Sequence, residues 1–139
     1  VGAVLGAKLG TMATVVYVLL GAVGLPIFAN FHGGISALAG ITGGYIWAWP
    51  FMTFLCGIHP KVQNKTANWA IRIVLALLGL AIVEVIGGIQ WHFVGGSMSL
   101  SAIAIYSLIA FVPKDIVITI LALFIAVPVR RAIEYAGAR

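Results

Sequence analysis

The stretch NWAIRIVLALLGLAIVEVIGGIQWH, residues 68–92, decides the fold class of this chain of 139 residues. Only Arg72 and Glu84 carry a formal charge within it. A helix crosses the bilayer core of about 30 Å with about 20 apolar residues. Trp69 and Trp91 would be separated by about 33 Å of helix, which suits tryptophans placed at the two membrane interfaces. The stretch therefore predicts a membrane-spanning helix.

The whole chain has the composition of an integral membrane protein. Hydrophobic residues make up 63% of it and charged residues only 8%, whereas about a quarter of the residues of a soluble domain are charged. The basic residues outnumber the acidic ones, 8 to 3, but they are scattered and form no stripe that could follow nucleic-acid phosphates. The composition predicts a single all-α membrane domain, residues 1–139, and argues against nucleic-acid binding.

Further spans are predicted on both sides of residues 68–92. Residues 99–129 would form about 46 Å of helix, which is too long for one crossing. Pro113 is expected to divide this run, because proline suits the first turn of a helix and disfavours a helical residue before it. Residues 99–111 then form a short re-entrant or interfacial helix. The complete spans are predicted at residues 9–25, 41–59, 68–92 and 113–130.

The first residues of the chain resemble the end of an earlier span. Residues 1–7 are apolar and are followed by Lys8. The chain starts with Val1 and has no basic leader of the kind that opens a signal peptide. We therefore expect an upstream helix to be absent from this sequence.

The basic residues predict the orientation of the spans. The outer loop, residues 26–40, and residues 93–100 contain no Lys or Arg. Cytoplasmic segments carry an excess of Lys and Arg, so the basic ends and the C-terminus are predicted to be cytoplasmic and the loop 26–40 to face outward. The basic residues at the cytoplasmic ends are Lys8, Lys61, Lys65, Arg72, Arg130, Arg131 and Arg139.

Glu84 is an ionisable residue placed inside a predicted span. It lies about 10 Å of helix below Trp91, and an ionisable group at such depth is costly enough to indicate a function. Two interpretations are open. Glu84 is either a neutral carboxyl group bonded to a neighbouring helix or part of a ligand pocket.

Asp115 and Lys114 follow Pro113 at the outer end of the last span. A carboxylate in the first turn of a helix is stabilised by the helix dipole, which is one interpretation of Asp115. In the other, Asp115 points into the bundle, with Ile118 and Thr119 on the same face, and accepts two parallel N–H groups from a neutral ligand. Lys114 points elsewhere and either snorkels to the surface or reaches an anionic ligand tail.

The outer loop is rich in glycine and unusually apolar. Gly33 and Gly34 allow tight backbone conformations, so that the loop could approach a ligand or act as a lid. His32 either donates a hydrogen bond to a ligand or has no role, and Tyr45 can stack against a ring. The loop lacks the Lys and Ser/Thr of a phosphate-binding loop. The histidines of the chain fall at different ends of the spans, so no metal site is predicted.

Several short motifs together resemble those of the BioY family, the biotin-binding S components of energy-coupling factor (ECF) transporters. They are LGAKLG at 5–10, GLPIFA at 24–29, TGGY at 42–45 and FVPKD at 111–115. The resemblance covers nearly the whole chain in order and spacing. It implies a helical bundle of the S-component type, with six helices in the family, of which the first and part of the second are absent here.

The resemblance also implies a function and its partners. Biotin would be captured at the outer side of a bacterial cell membrane, without catalysis or a cofactor, and a separate coupling protein with ATPase subunits would power transport. Asp115 matches the family's acidic residue, whose two oxygens suit the two N–H groups of the biotin ureido ring. Ile118 and Ile46 stand where family members often have Lys and Arg. Lys114 or His32 are therefore hypothesised to neutralise the ligand carboxylate.

The predicted spans are also compatible with other functions. The chain could be an S component for a different small vitamin or a biotin analogue, or a structural or channel subunit without a specific pocket. A membrane enzyme is disfavoured, because no set of nucleophile, base and orienting residue is present.

Overall fold

The computed structural model describes residues 1–96 and 98–137, so Arg139, one of the predicted cytoplasmic residues, lies outside the described residues. The described chain is a helical bundle. Its elements are α1 (Gly2–Leu5), α2 (Ala7–Ala22), a 3-10 turn (Ala29–Phe31), α3 (Ile35–Ala39), α4 (Gly43–Cys56), α5 (Lys65–Gly95), α6 (Leu100–Ala110) and α7 (Val112–Gly137).

Helix α5 contains the predicted span 68–92 and is longer at both ends. Asn64 caps its N-terminus, because the Asn64 Oδ1 accepts hydrogen bonds from the backbone N–H groups of Thr66, at 2.9 Å, and Ala67, at 3.2 Å. Gly96 ends the helix with a φ of 62°, a left-handed conformation that glycine adopts at little cost. These caps explain why the helix extends beyond the apolar run.

The long apolar run from residue 99 onward is divided into α6 and α7 at Phe111. Ser99 caps α6 by accepting a hydrogen bond from the Ala102 N–H at 3.3 Å. Pro113 lies in the first turn of α7, where its missing N–H would have no helical partner in any case. Helix α7 then continues past the predicted end at residue 130 to Gly137.

The outer loop is more regular than predicted. It contains the 3-10 turn Ala29–Phe31 and the short helix α3. The preceding helix α2 ends at Ala22 instead of residue 25, since Gly24 adopts a φ of 116° just ahead of Pro26. Helix α4 overlaps the predicted span 41–59 but occupies only Gly43–Cys56.

Glycines allow α4 and α5 to pack closely, and these two helices form the most extensive contact in the bundle. A Cβ atom added to Gly44 would lie 2.6 Å from the Ile86 carbonyl oxygen. A Cβ atom added to Gly87 would lie 2.5 Å from the Tyr45 ring. Because the backbones approach this closely, the aromatic ring of Tyr45 lies against α5.

The outer surface of the bundle is apolar. Helices α5 and α7 are long and apolar enough to cross a membrane. Their most apolar 18-residue segments have mean hydropathies of 2.4 and 2.2, yet only 28% and 17% of the residues in these segments are buried. An apolar helix whose side chains remain exposed to this extent needs lipid around it. Helices α2 and α6 are shorter apolar helices.

The segment before α2 packs inside the bundle. Helix α1 contacts α4 and α7, and a Cβ atom on Gly2 would overlap the Thr53 carbonyl oxygen. Gly6 separates α1 from α2 with a φ of 84°. Residues 1–7, predicted as the end of an earlier span, are thus a four-residue helix and a kink.

Candidate functional site

A cavity of about 880 Å³ lies between the outer loop and helices α4, α5 and α7. Its wall is mostly apolar and aromatic, with a few polar side chains, which is the usual composition of a small-molecule site. The wall is formed by Phe28, Ala29, Asn30, His32, Gly33, Ser36, Ala37, Gly40, Ile41, Thr42, Tyr45, Ile46, Trp49, Met52, Leu80, Val83, Glu84, Trp91, Phe111, Asp115, Ile118 and Thr119.

Gln90 holds the outer loop against α5. Its Nε2 donates hydrogen bonds to the carbonyl oxygens of Leu38, at 2.7 Å, and Gly40, at 2.8 Å. Leu38 itself is buried at the end of α3. One amide side chain therefore anchors two carbonyl groups of the loop that lines the cavity.

Replacing Gln90 by Leu is expected to loosen the loop. The change removes both side-chain donors; the Gly40 carbonyl keeps its bond from the Gly43 N–H, but the Leu38 carbonyl loses its Gln90 donor, at a cost of about 1–3 kcal/mol. Hydrogen–deuterium exchange of residues 35–42 in detergent should accelerate by about tenfold or more. Ile89→Leu, at an exposed position next to it, is the control and should exchange like the parent. Equal exchange in both variants would show that Gln90 does not hold the loop.

An aromatic cluster supports the loop from below. Phe28 contacts Tyr17 and Trp49, with ring centroids 6.0 Å and 6.3 Å apart. The Tyr17 hydroxyl donates a hydrogen bond to the Ile27 carbonyl oxygen. Since Phe28 and Trp49 both line the cavity, the cluster gives it a rigid apolar wall beneath the loop.

Asp115 lies in the first turn of α7 and also lines the cavity. The two interpretations of this residue are thus compatible, since one carboxylate can face the helix dipole and a ligand. Its Oδ1 is 2.6 Å from the Lys114 Nζ, and the side chains are 27% and 58% exposed. Ile118 and Thr119, the predicted neighbours on the same face, also line the cavity.

Three buried polar atoms lie near one another, and two of their residues, Tyr45 and Glu84, line the cavity. They are the Tyr45 hydroxyl, the Glu84 Oε2 and the Ser107 hydroxyl, and within the described part of the chain none of them has a hydrogen-bond partner. Ser107 lies next to both Tyr45 and Glu84. Buried polar atoms are nearly always hydrogen-bonded, and Ser107 is near enough for these three residues, called here the polar triad, to bond with one another after a small side-chain shift.

The structure places some of the remaining predicted site residues in the cavity wall and others outside it. His32 and Gly33 line the cavity, and a Cβ atom on Gly33 would overlap the Leu25 carbonyl oxygen. Lys114 and Gly34 do not line it. Lys114 is exposed beside Asp115, and Gly34 forms the turn before α3 with a φ of 93°.

Several residues of the site do not emerge from the sequence patterns. Gln90 and Ser107 are polar residues inside apolar helices, and that property is the signal that could have found them. Phe111 and Trp91 line the cavity as ordinary aromatic residues at helix ends. Nothing in their local sequence distinguishes them from interface aromatics.

The opposite end of the bundle carries a basic cluster. The two ring nitrogens of His59 face the guanidinium groups of Arg72 and Arg130, and Arg130 also pairs with Glu134 at 2.7 Å. Burial lowers the pKa of His59, in the connection after α4, and the two arginines lower it further. Because Arg72 and Gln90 are separated by about 27 Å of α5, this cluster and the outer loop lie at opposite ends.

A model of the BioY family matches residues 1–135. The probable biotin transporter BioY of Pyrococcus horikoshii is 36% identical over 125 residues, which are 90% of this chain and 70% of the relative. The biotin transporter BioY of Thermotoga maritima is 41% identical over 90 residues, 65% of this chain and 52% of the relative.

The fold has a solved counterpart. The crystal structure of the S-component for biotin from an ECF-type ABC transporter superposes with a TM-score of 0.82 at 31% sequence identity. The match covers 94% of this chain and 69% of that one. A likeness of this extent relates most of the described bundle to an S-component for biotin.

Proposed function

The chain belongs to the BioY family, and from that premise we propose that it captures biotin as the S component of an ECF-type transporter. The resemblance seen in the sequence motifs is confirmed, as is the all-α fold of the S-component type. The protein is a transporter subunit and not an enzyme. Its membrane location follows from the family and from its exposed apolar helices.

The observation that carries this proposal is the cavity with Asp115 in its wall, lined on one side by a loop that Gln90 holds. The ureido ring of biotin presents two parallel N–H groups, and an ionised carboxylate accepts such a pair through its two oxygens. Aromatic residues around the cavity offer apolar surface for the fused rings and the aliphatic chain. The relatives' names supply the ligand that this chemistry suits.

We assign the ligand contacts as follows. Asp115 receives the ureido group, and Lys114 orients the Asp115 carboxylate without entering the cavity. Tyr45 and Glu84 contribute polar atoms from the polar triad, His32 contributes a loop donor, and Gly33 lets the loop backbone approach the ligand. Gly34 supports the loop conformation indirectly, because it forms the turn before α3.

The proposed orientation places the outer loop outside a bacterial cell membrane and the C-terminus in the cytoplasm. Its support is the basic cluster of His59, Arg72 and Arg130 at the end opposite the loop, since cytoplasmic ends carry the excess of Lys and Arg. A transmembrane coupling protein and ATPase subunits of the ECF type are the partners that supply the energy. The alternative that the same cavity allows is a different small vitamin as the ligand in place of biotin.

Biotin titration of the full-length protein in detergent tests the proposal. Trp49 and Trp91 line the cavity, so binding should change the intrinsic fluorescence saturably, with a matching isothermal titration. Trp47, which is exposed and outside the cavity wall, provides the control, because Trp47→Phe should keep the signal. No saturable binding of biotin by either method would refute the proposed function and favour a subunit without a biotin site.

A further inference from the structure

The basic cluster brings two arginines from distant parts of the chain onto one histidine. The Arg72 Nη1, on α5, lies 3.0 Å from the His59 Nδ1, and the Arg130 Nη1, on α7, contacts the His59 Nε2. The cluster also lies against the segment before α2, since the Arg130 Nη1 donates a hydrogen bond to the Val4 carbonyl oxygen at 3.3 Å. Arginines that only orient membrane spans can extend separately into water, so this convergence needs another explanation.

The hydrogen bonds of the basic cluster are incomplete. A neutral imidazole has one N–H group and one acceptor nitrogen, a protonated imidazole has two N–H groups, and a guanidinium group only donates. At least one of the two contacts between His59 and the arginines therefore sets an N–H group against another N–H group. The Nη2 atoms of Arg72 and Arg130 also have no acceptor within residues 1–96 and 98–137. A ligand with several acceptor oxygens would satisfy these donors.

Positive charge dominates this end of the bundle. Arg130 and Arg131 both act electrostatically on Arg72. Glu134, which pairs with Arg130 at 2.7 Å, is the one acidic residue at this end among the described residues. The other basic residues of this end are exposed, and they are Lys8, Lys61 and Lys65. The missing acceptor is therefore expected to be an anion.

Exposed apolar side chains adjoin the arginines. Ile71, next to Arg72, is 37% exposed, and Val129 and Ile133, on either side of Arg130 in α7, are 43% and 55% exposed. In a membrane such side chains face acyl chains. A soluble phosphate or an acidic protein segment would match the charge and leave this apolar border unused, whereas an anionic phospholipid matches both the charge and the border.

We propose that the basic cluster binds the phosphate group of an anionic phospholipid. The phosphate oxygens accept hydrogen bonds from Arg72 and Arg130, because guanidinium groups present parallel N–H donors that suit phosphate. His59 positions the two arginines, and the acyl chains lie along α5 and α7. The site concerns the lipid around the protein, so it goes beyond biotin capture and does not depend on the ligand of the cavity.

Thermal unfolding of the delipidated full-length protein in a neutral detergent tests this site. Dioctanoyl phosphatidylglycerol should raise the melting temperature saturably, at concentrations roughly tenfold or more below those needed with dioctanoyl phosphatidylcholine, whose ammonium group the arginines repel. Glycerol phosphate carries the phosphate without acyl chains and should have little effect at these concentrations. Equal effects of the two lipids would overturn the proposal and favour an acidic protein partner. A glycerol phosphate effect equal to that of phosphatidylglycerol would also overturn it and favour a soluble phosphate.

Single variants locate the lipid site. Arg72→Gln and Arg130→Gln should each reduce the preference for phosphatidylglycerol by about threefold or more, since each removes a charged donor to the phosphate. Lys61→Gln removes the same charge from an exposed position outside the basic cluster and is the matched control, which should keep the preference.

The two lipids are compared within each variant, so that a lower baseline stability does not affect the ratio. Arg130 also bonds Val4 and Glu134, so Arg72→Gln decides the question if Arg130→Gln fails to fold. Native mass spectrometry, which counts the phosphatidylglycerol molecules retained by the protein, is the second readout. A preference that survives Arg72→Gln, or that falls equally in Lys61→Gln, would overturn the assignment of the lipid to this cluster.

Discussion

Replacing Asp115 by Asn is expected to weaken biotin binding by about two orders of magnitude. The asparagine has the same shape, but it replaces one acceptor oxygen with an NH₂ group that faces a ureido N–H. Hydrogen bonds to a charged group contribute about 1.5–3 kcal/mol each, and 1.4 kcal/mol corresponds to a factor of ten in affinity. Isothermal titration of the parent and the variant in the same detergent measures the difference.

The neighbouring residue supplies the matched control for this change. Lys114 is paired with Asp115 but lies outside the cavity wall. Lys114→Gln should therefore weaken binding by less than about tenfold, since exposed ion pairs contribute about 0–1 kcal/mol. Affinity that survives Asp115→Asn unchanged would remove Asp115 from the site while leaving the biotin function in place.

Replacing Gly43 by Ala is expected to destabilise the fold more than any other single methyl addition proposed here. The new Cβ atom would overlap the Leu38 carbonyl oxygen and lie 2.5 Å from the Gln90 Nε2. It would thus separate the start of α4 from the loop and break the bonds that Gln90 makes. Overpacking and the loss of these hydrogen bonds together should cost about 3 kcal/mol or more.

The stability of this variant can be measured by thermal unfolding in detergent and by the yield of monodisperse protein. Gly88→Ala is the control on α5, because its Cβ atom would meet only the Ile103 Cγ2, at an ordinary 3.6 Å. Alanine favours helix over glycine, so this control should be neutral or slightly stabilising. A Gly43→Ala protein as stable as the control would mean that the loop moves freely away from α4.

The two residues affect binding in different ways. Asp115 acts on the ligand directly, so its replacement should change affinity and leave the melting temperature nearly unchanged. Gly43 acts through the position of the loop and should change both. Measuring stability and affinity for each variant therefore separates the loss of a contact from the loss of the cavity.

Membrane class and fold type could be predicted from local properties of the sequence. The scarcity of charge and the apolar run 68–92 depend on the composition of short stretches, and lipid requires such stretches whatever their packing. The break at Pro113 could also be anticipated, because the missing N–H of proline is a local property. The helix ends shifted by a few residues, since capping by Asn64 and the conformation of Gly96 extend α5 beyond its apolar core.

The candidate site was predictable only in part. Glu84 and Asp115 stood out because charge is rare in this chain, and both line the cavity. Lys114 carries charge as well, yet its side chain lies outside the wall, because successive residues on a helix point in different directions. Rarity of charge indicates which residues need an explanation, and helix geometry decides which of them face a ligand.

The sequence by itself determined that this protein lies in a membrane, that it is all-helical and to which family it belongs. Only the tertiary structure decided which distant groups meet, as the Gln90 side chain does with the Leu38 carbonyl oxygen, 52 positions away. The physical reason is that a membrane span is recognised from the hydropathy of one helix alone, whereas a cavity forms from the close approach of several helices. Glycines at the α4–α5 contact permit that approach, and its outcome depends on all the helices together.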